Sequence, residues 1–174
     1  MKILNVGCGK QTYGTHFIDL YPQRSEVVKC DVESEKIPFP DGTFDEVCSD
    51  NMLEHLKDVN KVLAEMYRVL KKGGKLVIIT DNASFWGWHV PSAKIHYGGY
   101  EERSYGTEDR HYSLFTSWHL QNHFRSLGIG NTSTEYLMIK EKNPYLYVRA
   151  ISKLVRLFSK RMAYPQIKII GIKA

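Results

Sequence analysis

Five short β-rich runs fill the first eighty residues: KILNV (2–6), HFIDL (16–20), EVVKC (26–30), FDEVCS (44–49) and GKLVIIT (74–80), punctuated by Gly, Pro and Asp. One helical run stands among them. In DVNKVLAEMYRVLK (58–71), Val59, Val62, Leu63, Met66, Val69 and Leu70 recur at steps of three and four, Asp58 is placed to cap the start, and Gly73 and Gly74 stop it. Strands alternating with helix predict a parallel α/β sheet. Farther on, a cap at Thr116 or Ser117 predicts a second helix running to Leu127 and ended by Gly128, while NTSTEYLMIK and QIKIIGIKA read as two more strands.

With 174 residues, 43% hydrophobic and 25% charged, residues 1–174 are expected to form one domain with a full core. No run reaches the roughly 20 apolar residues that span a bilayer, and no leader-like stretch precedes the first strand, so the expected setting is cytoplasmic. Cys8, Cys30 and Cys48 are odd in number and lack C-x-x-C spacing; they read as reduced, buried thiols. The net charge of +5 is unevenly spread: residues 1–60 carry eleven acids and six bases, residues 140–174 nine bases and one acid. The acidic end suits a cationic ligand, the basic end a phosphate or an anionic surface.

The first strand breaks into Gly7-Cys8-Gly9. In an open α/β sheet the ligand lies outside the carboxyl ends of the strands, where glycine lets the backbone approach it. A tight turn alone would also explain G-x-G, so its companions matter. Asp19 closes the second strand, where a carboxylate can accept from two ribose hydroxyls, and Asp31 closes the third, where one can accept from an adenine amino group. A dinucleotide site would continue as G-x-G-x-x-G into a helix whose N-terminus holds pyrophosphate, but the third position is Thr12 and nine residues, 7–15, separate the strands. A cationic nucleoside without phosphate fits better, and S-adenosylmethionine (SAM) is one.

The composite of LNVGCG with PFPDGTFDEV, LEHL and YRVLKKGGKL resembles class I SAM-dependent methyltransferases, specifically the branch similar to the ubiquinone and menaquinone biosynthesis methyltransferases. The likeness covers roughly the first half of the chain, to Thr80. It implies a Rossmann-like α/β sheet of order 3-2-1-4-5-7-6 with the last strand antiparallel, SAM as cofactor, and methyl transfer to oxygen or carbon of a small-molecule, glycan or lipid-linked acceptor. Carried over by position, Gly7, Cys8 and Gly9 line the methionine and ribose side, Asp19 binds ribose, and Asp31 with Val32 reads adenine. Asn5, Leu20, Ser49 and Asn51 complete the implied cofactor set, the last two in the segment beside the sulfonium.

The chain departs from that family where the links between its first three strands are too short for full crossover helices. Helices there are expected to be reduced or lost, leaving one sheet face to be covered by residues 83–115, by the C-terminal helix or by a second subunit, which makes a homodimer one candidate assembly. No helix is expected before the first strand, so the cover over the methionine end is expected to be reduced.

Methyl transfer needs a base only where the acceptor must lose a proton. His55, in LEHL, and His111, in EDRHYSLFT, are the candidates; each could equally serve packing or capping. The fourth strand is followed by SDNMLEH rather than the Asn/Asp-Pro-Pro-Tyr of base amino methyltransferases, so nucleic acid is not the expected acceptor. Residues 82–115, rich in Trp and Tyr, are expected to form an acceptor lid, a satellite core, or both. His89, His96 and His111 have no helical i, i+4 pairing, and no metal is expected. Between the last two strands, residues 144–162 read as an inserted helix with Arg149, Lys153, Arg156 and Lys160 opposite Val148, Ile151, Leu154, Val155, Phe158 and Met162. That apolar face is expected to pack on the domain; the alternative is a peripheral contact with an anionic membrane. A rival to catalysis is a non-catalytic SAM-fold protein that binds a membrane surface, nucleic acid or another partner through this helix.

Overall fold

The computed structural model describes residues 1–89, 111–138 and 146–174. Seven strands form one sheet of order β3-β2-β1-β4-β5-β7-β6. They are β1 (Ile3–Val6), β2 (His16–Asp19), β3 (Val27–Lys29), β4 (Phe44–Asp50), β5 (Leu70–Asp81), β6 (Thr132–Leu137) and β7 (Gln166–Ile172). The first five are parallel, and β7 runs antiparallel between β5 and β6. The order and the antiparallel last strand are those expected, as is the lack of a helix between β1 and β2 or between β2 and β3.

Helix α1 (Val59–Val69) starts at Asp58, whose carboxylate accepts from Lys61 N at 3.0 Å. It ends two residues earlier than its pattern suggests, because Leu70 already pairs with Phe44 and begins β5. Its buried face, Val59, Val62, Leu63, Met66 and Val69, meets Leu4, Val6, Val47, Leu76 and Ile78 of the sheet. Five such side chains at about 1.5–3 kcal/mol each anchor the helix firmly. Helix α2 (Ser117–Ser126), capped by Thr116, adds Leu120 and Phe124 to the same core.

Among the described residues, both helices therefore cover one face of the sheet. The other carries a small apolar patch of Ile3, Cys48 and Val77 with Ile170 beside it. Next to it opens a cleft of about 560 Å³, lined by Asn5, Glu46, Asp50, Lys75 and Lys168 among others. The short β1–β2 link straps part of this face: Tyr13 donates its hydroxyl to buried Glu46 at 2.7 Å, and Lys75 pairs with the same carboxylate at 2.6 Å. The Glu46 acceptor and burial push the Tyr13 phenol up to about 12.

The inserted helical segment divides into α3 (Leu146–Phe158) and α4 (Lys160–Ala163). Here the structure reverses an expectation. Ile151, Leu154, Phe158 and Met162, assigned to a face that would pack on the domain, are 39%, 61%, 89% and 48% exposed. Ser152 is buried instead and accepts from Trp86 Nε1 at 2.9 Å, with Val155 half-buried beside it. Of the lid expected over 82–115, residues 90–110 lie outside the described set. Its two ends are joined by a parallel bridge between Asn82 and Phe115 and packed inward at Phe85 and Trp88.

Candidate cofactor and acceptor site

At the carboxyl ends of β1 to β4, Gly7, Asp19, Leu20, Asp31, Val32, Asn51 and His55 line one cleft together with Tyr21, Cys30, Glu33, Met52 and Leu56. Its volume, about 160 Å³, is below the roughly 300 Å³ at which pockets enclose a drug-sized ligand, so a ligand there keeps part of its surface in water. Among the described residues three carboxylates line it and no Lys or Arg does, an electrostatic setting for a cation.

The glycine turn is built for close approach. Gly7 has φ +67°, and a Cβ on it would stand 2.6 Å from Met52 Cγ, within the cleft wall. Gly9 also adopts positive φ, +50°, and donates its N–H to Asp19 Oδ2 at 2.8 Å. Asp19 Oδ1 accepts from Tyr21 N at 2.8 Å. Two backbone donors thus hold the Asp19 carboxylate where a full helix dipole would act in a longer crossover, and each oxygen keeps a lone pair for a hydroxyl. Asp31 is set by its own turn: Oδ1 accepts from Glu33 N at 3.1 Å, and Oδ2 from Ser34 Oγ at 2.8 Å. Glu33 in turn accepts from Lys57 N and Asp58 N at 2.7 and 3.1 Å, tying the loop after Asp31 to the start of α1.

Asn51, just beyond β4, has φ +53°, a strained position for a residue with a side chain. Its backbone N–H donates to Ile79 O at 3.0 Å and its side-chain oxygen accepts from Gln166 Nε2. A 3-10 turn, Leu53–His55, follows directly. Buried Glu54 accepts from Thr80 Oγ1 at 2.6 Å, and its carbonyl accepts from Tyr112 N at 2.7 Å. That last bond brings the 111–115 segment onto the turn, so His111 meets His55, 56 positions away in sequence, with ring centroids 4.6 Å apart. Asp81, at the end of β5, lies 3.4 Å from His111 Nδ1. Glu54, His55 and His111 each offer an atom within 4.8 Å of the others, a donor set that could also hold a divalent cation.

Four of the expected cofactor residues lie elsewhere. Asn5 faces the cleft on the opposite side of the sheet, because side chains alternate along a strand, whereas Ser49, two residues from core Val47 and paired with core Ile78, is buried on the helix side and outside the Gly7 cleft. Asn5 Nδ2 donates to Gln11 Oε1 at 3.1 Å and Tyr13 O at 3.0 Å, and so holds the β1–β2 link. Cys8 is 1% exposed and packs inward, and Gly9 acts through Asp19 rather than lining the cleft. Asp81 and Glu54 were not anticipated. The acid ending VIITD carried the same strand-end signal as Asp19 and Asp31 but fell outside the segments read for the cofactor.

Comparison with known proteins agrees with this geometry. Residues 10–78 match the methyltransferase domain family. The chain is similar, at 48% identity over 46 residues, to the ubiquinone/menaquinone biosynthesis C-methyltransferase of Marinomonas sp., covering 26% of this chain and 18% of that protein. To the demethylmenaquinone methyltransferase of Listeria welshimeri it is 46% identical over 54 residues, 30% of this chain and 23% of that one. The chain thus matches less than a quarter of these relatives' length. Among solved structures, a SAM-dependent methyltransferase of Thermotoga maritima superposes with a TM-score of 0.65 at 17% identity, covering 99% of this chain and 82% of that one. A second, from Archaeoglobus fulgidus, gives 0.65 at 18% identity over 99% and 86% of the two chains. The chain has the fold of the class I SAM-dependent methyltransferases and carries the methyltransferase-domain sequence signature in residues 10–78.

Proposed function

We propose that the protein is a SAM-dependent methyltransferase acting on oxygen or carbon of a small-molecule, glycan or lipid-linked acceptor. One observation carries the reading: a single cleft joins the Gly7 turn and the two strand-end carboxylates, Asp19 and Asp31, to His55, which stands against His111. The residues fit the cofactor, since a glycine whose Cβ would strike Met52 gives the close approach and the acid lining complements a sulfonium.

When bound, SAM supplies a methyl group activated for in-line displacement. The chain's own task is then to align an acceptor, exclude water and accept a proton. Asp19 holds ribose hydroxyls and Asp31 an adenine amino group. For a hydroxyl or an acidic carbon acceptor, His111 or His55 takes the proton. Asp81, 3.4 Å from His111 Nδ1, stabilises the imidazolium that results. Buried Glu54 fixes the turn that carries His55.

Calorimetric titration with SAM and S-adenosylhomocysteine (SAH), beside an Asp31→Ala variant, tests the reading. Binding by the parent that the variant loses supports it and opens a screen of acceptors. A folded parent that binds neither nucleoside removes it.

A further inference from the structure

Helix α3 presents its apolar side chains to solvent. Leu146, Leu154, Leu157 and Phe158 are 79%, 61%, 77% and 89% exposed, and Tyr147 and Ile151 are exposed between them. At about 100° per residue these positions share one arc of the helix; Arg149, Lys153 and Arg156, all exposed, occupy the next, and the docked Ser152 and Val155 the third. Soluble surfaces scatter large apolar residues singly; a continuous arc beside a stripe of one charge marks a binding face.

We propose that α3 lies flat in the headgroup region of an anionic lipid bilayer, its Leu and Phe side chains in the acyl boundary and its basic stripe on lipid phosphates. Charge selects this occupant. Residues 146–174 contain no Asp or Glu, so the face complements only an anionic surface. A second copy docked through the same helix would set one basic stripe against another with no acid on α3 to pair with it. The helix is 13 residues long and no described helix can cross a membrane, so α3 lies on a bilayer rather than spanning it.

Its attachment gives the contact a purpose. Trp86 donates to Ser152, and Asn82 Nδ2 donates to Arg161 O and Tyr164 O at 2.7 Å each. Asn82 and Trp86 follow Asp81 at the carboxyl end of β5, so the docked helix seats that rim of the sheet on the bilayer. Resting on the methyltransferase reading, this favours an acceptor that resides in the membrane; the surface itself stands independently of that reading.

The test is sedimentation of the full chain with vesicles of phosphatidylcholine containing about 30% phosphatidylglycerol, against phosphatidylcholine alone. Two variants are compared: Leu157→Asp with Phe158→Asp, and Arg149, Lys153 and Arg156 each changed to Gln. Circular dichroism checks the fold, and because SAH titration needs no vesicles, the two proposals fail separately. The parent sediments with the anionic vesicles only. Each neutralised base lowers the partition coefficient roughly fivefold, so the triple variant loses about a hundredfold, and the double Asp variant is released as well. A folded parent that stays in the supernatant overturns the proposal. So does binding that the double Asp variant retains, which would be adsorption by charge without insertion, or a dimer in light scattering that the double Asp variant abolishes, which would make a second copy the occupant.

Discussion

Replacing Asp19 by Asn separates the two tasks assigned to that carboxylate. In the parent, one oxygen accepts from Gly9 N and the other from Tyr21 N, both at 2.8 Å. An amide keeps one acceptor and turns an NH₂ toward the second N–H, leaving a donor facing a donor. In this half-buried setting the cost is about 1–2 kcal/mol, the lower part of the range for an unsatisfied group. For a chain of this size that lowers Tm by roughly 2–8 °C. If the carboxylate also binds ribose, losing its charge removes about 1.5–3 kcal/mol of charge-assisted hydrogen bonding, which weakens SAH roughly ten- to 150-fold. Calorimetry with SAH and with its 2′-deoxy analogue completes a double-mutant cycle: in the parent the missing hydroxyl is costly, in the variant it costs little. Lys168→Ala, on the opposite cleft, is the control and leaves SAH affinity unchanged. A folded Asp19→Asn protein that binds SAH within about threefold of the parent would refute the assignment, as would an equal loss from Lys168→Ala.

His111→Gln should lower kcat about 10²- to 10⁴-fold toward an acceptor that must lose a proton. SAH affinity should hold, because His111 is outside the nucleoside cleft. In the same assay EDTA should change nothing; a loss restored by a divalent ion would transfer the role to a cation held by Glu54, His55 and His111. The cysteines should be inert: burial raises the thiol of Cys8 and of Cys30 and pushes that of Cys48 up to about 12. An aromatic disulfide reagent should therefore report three thiols only after unfolding, and rapid reaction of the native chain would contradict this packing. Burial, with His119 adding to it, lowers the His123 pKa from 6.5, so the unfolded chain takes up that proton first as pH falls. Its contribution to stability is intact above pH 6.5 and declines below it, down through the folded value; His123→Gln should flatten Tm between pH 7 and 5 relative to the parent.

The strand-end cleft was legible because its signals are local. A glycine at a strand tip and an acid at a strand end keep their meaning wherever the rest of the chain goes, and Gly7, Asp19 and Asp31 line one cleft. Side-chain direction was harder to read. The strands supplying Asn5 and Ser49 match their expected places, yet period-2 alternation turns Asn5 to the other face and packs Ser49 into the helix-side core beside Val47, and a β-bulge between Phe44 and Glu46 shifts the register of β4 against β5. The pairing of His55 with His111 was beyond sequence alone, since it depends on one bond between backbones, Tyr112 N to Glu54 O, that no side-chain pattern announces.

Helix α3 marks a different limit. A period of 3.6 says that a helix has an apolar side and a polar side, but is silent on which neighbour meets which. Packing the apolar side inward is the usual outcome because a domain's own core is the nearest apolar surface. Here the contacts that dock the helix are polar: a serine that takes an indole N–H, and an asparagine that takes two carbonyls near α4. The first is made only with Ser152 facing the body, and Ser152 lies about 100° or more around the helix from Leu146, Leu154, Leu157 and Phe158. The buried Ser152 thus fixes the rotation of α3, and through it the outward apolar face beside the basic stripe.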